Sequence, residues 1–202
     1  MAPPPPPLCR LCGVPLGARA LNERCETCAR RPPAFAAARA AALYLPAAAG
    51  RNAVAAALHN LKYRGRRQVA EALGALLAER YPFADRALLV PVPLHVQRLR
   101  ARGFNQALLL ARALARRRGL AVAPRVLVRT RATVAQPGLA AAERLENVRD
   151  AFAVRVPAAV AGRPVVLVDD VLTSGATAGA CARALSAAGA ARVDVYTVGR
   201  AP

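Results

Sequence analysis

Apolar positions along this chain recur in two periods, and their alternation lays out the elements. Val165 to Val168 are four consecutive apolar residues, the pattern of a short strand buried on both faces. Asp169 and Asp170 then end the strand. A small hydroxyl- and glycine-rich turn, Thr173 to Thr177, runs into an Ala-rich helix predicted over Ala176 to Ala188. Upstream, residues 86–93 (Arg-Ala-Leu-Leu-Val-Pro-Val-Pro) read as a second buried strand, stopped by prolines that cannot donate to a ladder. Ala107, Leu110, Ala111 and Leu114 mark the stripe of an amphipathic helix, with Gly119 as its C′ stop. Nearer the start, the pattern predicts a weak strand over Ala40 to Leu45 and helices over Arg51 to Asn60 and Gln68 to Arg80. The second of these carries Ala72, Ala75, Leu76 and Glu79 at helical spacing. Strands near Arg125 to Arg129, Ala151 to Val154 and Arg192 to Val198 complete an alternating strand–helix order. Such an order predicts an α/β fold, a parallel-rich sheet flanked by helices. Ligands of these sheets bind outside the carboxyl ends of the strands. The Thr173 turn and the exit of Val90-Pro91-Val92-Pro93 are therefore expected to share one cleft.

The remaining boundaries follow from composition. Residues 1–7 form a proline-rich lead expected to be disordered, residues 8–30 a small cysteine module, residues 34–80 a helical segment and residues 81–202 the main domain. Cys9-x2-Cys12 and Cys25-x2-Cys28 have the two-knuckle spacing of a tetrahedral four-cysteine zinc site. With all four positions filled by protein, that site is closed and structural. Disulfides fit poorly, because the opening proline run lacks the basic segment and apolar stretch of a secretory leader. A soluble, cytoplasmic protein without membrane insertion is expected. Cys181 stands apart, at i, i+4 spacing with Thr177 and Leu185, and reads as a core residue.

Charge changes the picture only partly. The 202 residues carry 30 Lys and Arg against 11 Asp and Glu, a formal net charge of +19. Basic clusters at Lys62 to Arg67, Arg98 to Arg102 and Arg116 to Arg118 suit a polyanion. Yet the chain is rich in Ala and takes nearly all its positive charge from Arg, a pairing that compositional drift produces without any ligand. Aromatic residues make up only 4% of the chain, too few for an extensive base-stacking platform on single-stranded DNA. No Gly-x-x-x-x-Gly-Lys-[Ser/Thr] sequence is present, which excludes an ATP-type P-loop.

The chemistry concentrates after the 165–168 strand. A strand, a tight turn and a helix N-terminus make an anion cradle, with free backbone N–H groups and the positive end of the helix dipole facing a phosphate. Two acids beside that cradle can hold sugar hydroxyls or a metal-bound sugar, so a phosphorylated ribose suits the combination. This stretch resembles the 5-phosphoribosyl-1-pyrophosphate (PRPP) signature of type I phosphoribosyltransferases. The resemblance implies that Thr173, Ser174, Gly175, Ala176 and Thr177 bind the 5′-phosphate and that Asp169 and Asp170 hold the ribose. Ser174 stands where Thr is usual in that signature and keeps the hydroxyl.

A second constellation precedes it. Arg98 and Arg102-Gly103-Phe104-Asn105-Gln106 follow the Val-Pro-Val-Pro segment, and two guanidinium groups can grip a departing pyrophosphate bidentately. Arg129-x-Arg131-x-Thr133-x2-Gln136 and Arg144-x2-Asn147 form a long polar stretch with the character of a lid. Lys62, the single lysine, is expected to face the cleft or a bound polyanion, where a compact ammonium is needed rather than a planar fork. With Leu61-Lys62-Tyr63-x-Gly65 and the four cysteines, these segments resemble, in order and over nearly the whole chain, the ComF family of competence proteins. That resemblance implies a phosphoribosyltransferase-like domain with residues 34–80 as its hood, PRPP bound with Mg²⁺, a structural zinc ion, and a link to DNA uptake and natural transformation. Transfer to an unknown acceptor and a non-catalytic role, sensing PRPP or binding single-stranded DNA, are both compatible with it.

Overall fold

A computed structural model describes residues 1–17, 23–45, 52–131 and 148–202. In chain order the elements are α1 (Glu26–Arg30), β1 (Ala38–Leu43), α2 (Ala53–Tyr63), α3 (Val69–Glu79), β2 (Leu88–Pro91), α4 (Val96–Arg102), α5 (Gln106–Arg118), β3 (Leu127–Arg129), β4 (Phe152–Val154), β5 (Pro164–Leu172), α6 (Ala176–Ala187) and β6 (Arg192–Arg200). Strands β1, β6, β5 and β2 form a parallel sheet in that order. The expected architecture is present, with helices on both faces.

The alternating side chains of β5 explain why it is apolar throughout its first half. Val165 and Leu167 enter one core with Cys181 and Leu185 of α6, while Val166 and Val168 enter a second with residues of α2, α3 and α5. Each fully buried leucine or valine contributes on the order of 2 kcal/mol from the area removed from water. Tyr196 of β6 lies wholly within the second core, and its hydroxyl donates to the Leu77 carbonyl at 3.0 Å.

Two helices meet unusually closely. A Cβ on Gly74 of α3 would fall 2.2 Å from the Cβ of Ala113 in α5, so only glycine allows that approach. This contact also corrects the expected stripe of α3. Its buried face is Ala70, Leu73, Gly74, Leu77 and Ala78, and Ala72 and Glu79 are exposed, because the bulkier leucines and the glycine contact decide the helix rotation. On α5 the buried positions include the expected Ala107, Leu110, Ala111 and Leu114, and Gly119 adopts φ 67° at its end.

Other elements differ from expectation in extent or pairing. β3 and β4 pair with each other antiparallel and stand outside the main sheet. A parallel partner requires a crossover connection, whereas two short successive strands satisfy one another directly. α2 runs to Tyr63, so Lys62 sits in a helical turn and not in a loop. α4 was not anticipated; His95 caps it, accepting from Gln97 N, and Gly103 at φ 75° ends it. β1 belongs to the central sheet, so residues 34–80 supply a strand as well as two helices. Ala2 accepts a hydrogen bond from Leu43 N, which lays the proline-rich start along β1.

Candidate functional site

β5 does not end at the two acids. Its ladder with β2 stops at Pro91 opposite Val168, followed by one further bond from Val92 N to Val168 O, whereas its ladder with β6 continues to Leu172. β2 departs because Pro91 and Pro93 lack N–H groups. Asp169 and Asp170 therefore lie on a strand paired on one side and open on the other. α5 follows β2 on one face of the sheet and α6 joins β5 to β6 on the other, so the opening is a topological switch point.

A cleft of about 580 Å³ fills that opening. Its walls include Lys62, Arg98, Arg102, Asp169, Asp170 and all five residues from Thr173 to Thr177. Every residue singled out for sugar and phosphate binding thus lines one cavity, together with Val92, Pro93 and Leu94 from the end of β2.

The turn after β5 is shaped by Gly175, whose φ of 78° is left-handed and would cost another residue about 1 kcal/mol. Thr173 and Ser174 are exposed, and Ala176 N donates to Ser174 Oγ at 3.4 Å. α6 begins there without an acid in its first turn, so its N-terminal N–H groups and dipole face the cleft unopposed by a carboxylate.

The two acids sit on opposite faces of β5 and are not equivalent. Asp170 is buried beneath α2 and α5, where the Lys62 ammonium contacts Oδ2 and Gln106 Nε2 donates to Oδ1 at 3.3 Å. Burial opposes its ionisation, but Lys62 wins and holds its carboxyl below the usual range. Lys62 shows the reciprocal effect: burial works against its charge, yet Asp170 raises it above an ordinary lysine. Among the described residues Asp169 has no such cation in contact. Burial and then the neighbouring Asp170 charge push it well above the usual carboxylate range, while its Oδ1 accepts from Asp170 N at 2.9 Å. A divalent cation or hydroxyl donors would let Asp169 ionise.

Positive groups face these acids. Arg98 and Arg102 lie one turn apart on α4, where an anion between them would relieve their mild mutual repulsion. Arg102 donates to Gln106 Oε1 at 2.7 Å and lies 5.6 Å from the centre of the Tyr63 ring. Arg129 of β3 also lines the cleft, and burial followed by the nearby Arg98 charge lowers its pKa. Asn105 plays a scaffolding part: Oδ1 accepts from Ala107 N at 2.9 Å, and Nδ2 donates to Val92 O at 3.0 Å. Gln106 and Arg129 appeared in the sequence only within longer polar segments. Nothing in the pattern showed that Gln106, at the start of an amphipathic helix, would be buried against Asp170. Thr133, Gln136, Arg144 and Asn147 lie outside the described residues. The arginines of the 116–118 cluster are engaged by acids, Arg116 and Arg117 by Glu71 and Arg118 by Asp85.

The cysteine module places its four sulfur atoms within 4.8 Å of one another, and none forms a disulfide. Burial opposes ionisation of Cys9, yet N–H groups of Cys12, Cys25 and Leu11 bring it down to about 6. Cys28 is driven upward by burial and the Cys12 charge. Four such groups ionise together only around a cation, and the all-sulfur set fits a tetrahedral ion such as zinc. Gly13, at φ 66°, lies where a Cβ would come within 2.6 Å of Ala38 O, so the knuckle docks tightly on β1. Ala38 N donates to Leu11 O at 2.7 Å across the same contact. Among the described residues no helix is long and apolar enough to cross a membrane.

No family model matches the chain. It is 35% identical over 200 residues to the DNA utilization protein YhgH of Salmonella typhi, covering 96% of this chain and 84% of that one. The same identity and coverage hold for DNA utilization protein YhgH of Escherichia coli strain K12. Competence protein F of Haemophilus influenzae is 35% identical over 114 residues, 56% of this chain and 50% of that protein. Among solved structures, the glutamine PRPP amidotransferase from B. subtilis, complexed with ADP and GMP, aligns with a TM-score of 0.45 at 24% identity, covering 64% of this chain and 26% of that one.

Proposed function

The chain belongs to the ComF family, alongside DNA utilization protein YhgH and competence protein F, and from that premise we propose that it is a PRPP-binding phosphoribosyltransferase-like protein. One observation carries the reading: the turn from Thr173 to Thr177, the two acids, Lys62 and two arginines line a single cleft where β2 leaves β5. In this reading the turn and the N-terminus of α6 take the 5′-phosphate, and Asp169 and Asp170 orient the ribose hydroxyls. Arg98 and Arg102 take the pyrophosphate, whose negative charge grows as its bond to the sugar C1 breaks. The acids also stabilise the positive charge that develops on the sugar before an acceptor adds to C1. Magnesium, bound with the diphosphate, would neutralise phosphate oxygens and supply a counter-charge for Asp169. Zinc in the cysteine module would be structural, since protein sulfur fills its whole coordination shell.

A second reading, binding of single-stranded DNA without transfer, draws on exposed Arg64, Arg66 and Arg100 near the cleft and on the names of the relatives. Purified protein incubated with PRPP, Mg²⁺ and a panel of nucleobases, amines and DNA ends separates the two. Acceptor-dependent release of pyrophosphate supports transfer. Its absence, with strand affinity that falls steeply with salt, would favour the binder.

A further inference from the structure

Arg200, the last residue of β6, takes no part in the reading above, yet it joins the cysteine module to the turn. It is buried, with 7% of its surface exposed, and among the described residues it has no carboxylate partner. Its guanidinium is shared between two segments far apart in sequence. Nε donates to Cys12 O at 3.0 Å and a terminal nitrogen approaches Cys12 Sγ at 3.7 Å. The other terminal nitrogen donates to Leu172 O and Thr173 O, both at 3.1 Å, and also to Ala201 O. Leu172 and Thr173 are the residues through which β5 enters the turn. One planar fork therefore holds the first cysteine knuckle on one side and the entrance of the phosphate turn on the other.

We propose that Arg200 is a positioning residue that couples metal binding in the cysteine module to the order of the Thr173–Thr177 turn. This rests on reading that turn as a phosphate site and the four sulfurs as a metal site. The physical case has two parts. A buried guanidinium needs negative charge nearby, and four thiolates around a divalent ion leave a net double negative charge on the cluster, one member of which is Cys12. Metal binding thus fixes both the position and the charge of the group that anchors Arg200. The first residues of the turn have little side-chain support among the described residues: Thr173 and Ser174 are exposed, and Ser174 Oγ accepts the long contact from Ala176 N. The entrance is held from outside the turn, by Ala201 N donating to Leu172 O at 3.0 Å and by the Arg200 guanidinium, which alone of the two reaches on to Thr173 O. Lysine cannot replace it, because a single ammonium cannot span Cys12 O and Thr173 O in the fork geometry.

The test uses the full chain loaded with zinc, its metal content measured, and follows amide hydrogen exchange in the 172–178 segment. Removing zinc with a chelator from the native chain is expected to speed exchange there at least tenfold while Gln106–Arg118 stays protected. In Arg200→Lys, zinc content should be retained, the segment should already exchange fast, and chelation should add little. Slow exchange in Arg200→Lys, or an equal chelation effect in both proteins, would overturn the proposal. Acceleration extending equally to Gln106–Arg118 would mean general unfolding and would also contradict it. Should Arg200→Lys fail to fold, the chelation arm on the native chain decides alone. PRPP affinity, read in parallel by calorimetry, should fall at least tenfold on chelation and in the variant. A native chain that ignores PRPP but shows the coupled exchange sinks the phosphoribosyl reading and leaves the coupling standing.

Discussion

In the cleft, Asp170 keeps its charge because Lys62 and Gln106 reach it from two helices already packed on the sheet. In the cysteine module, among the described residues, four sulfurs meet with Leu11, Val14 and Leu16, all partly exposed, as apolar support. The first region owes its geometry to a hydrophobic core that exists without any ligand. The second has little apolar surface to hold like charges together, so a bound cation would have to hold its geometry. The lesson is that the two sites should fail differently: the cleft by losing a partner, the module by losing its metal.

The sharpest break between them is expected from Cys12→Ser. Metal binding in comparable small modules is worth on the order of 10 kcal/mol. The variant should lose bound zinc and become open to proteolysis within residues 8–30, while far-UV circular dichroism of the sheet and helices persists. Collapse of the whole chain would show that the two regions are not separable.

Lys62→Met comes next. It leaves Asp170 buried without its counter-charge, a change that costs roughly 3–5 kcal/mol for a fully buried pair. The lower end applies here because the Lys62 side chain is 23% exposed. Urea denaturation would read the loss, and adding Asp170→Asn should recover part of it. The pH dependence follows from the directions of the shifts. Asp170 is lowered, so its share of the stability is present above the ordinary Asp value and lost as pH falls through its lower folded value. Lys62 is raised, so its share is present below the ordinary Lys value and lost as pH rises through its higher folded value. The gap between native and Lys62→Met should stay level from about pH 5 to 9 and close in acid.

Asp169→Asn should act in the opposite sense. A raised carboxyl contributes stability that is present below its ordinary value and lost as pH rises through its folded value. At neutral pH the amide removes that loss, stabilising by about 1 kcal/mol, or roughly 2–4 °C in Tm for a chain of this size. PRPP affinity should fall at the same time. A destabilised variant would show that Asp169 is already paired in the ligand-free chain. The smallest effect belongs to Glu71→Gln, whose exposed contacts to Arg116 and Arg117 should leave the denaturation midpoint unchanged within error.

Much of this arrangement was legible in the residues. The doubly buried strand, the glycine-shaped turn and the cysteine spacing each rest on local rules, and each has its counterpart in the structure. What escaped depended on tertiary contact. The continuation of β5 past the acids follows from β6 running beside it, the rotation of α3 from Gly74 meeting Ala113, and the role of Gln106 from the depth of the cleft. Arg200 was invisible for the same reason: nothing local to the end of β6 announces a bond to Cys12, 188 residues earlier.

Calorimetric titration of the zinc-loaded native chain with PRPP in the presence of Mg²⁺ reaches the central claim most directly. The account predicts a saturable heat with one site per chain, competed by pyrophosphate and abolished in the Asp169→Asn, Asp170→Asn double variant. A native chain that gives no saturable heat, or a double variant that binds as tightly as the native one, would contradict it.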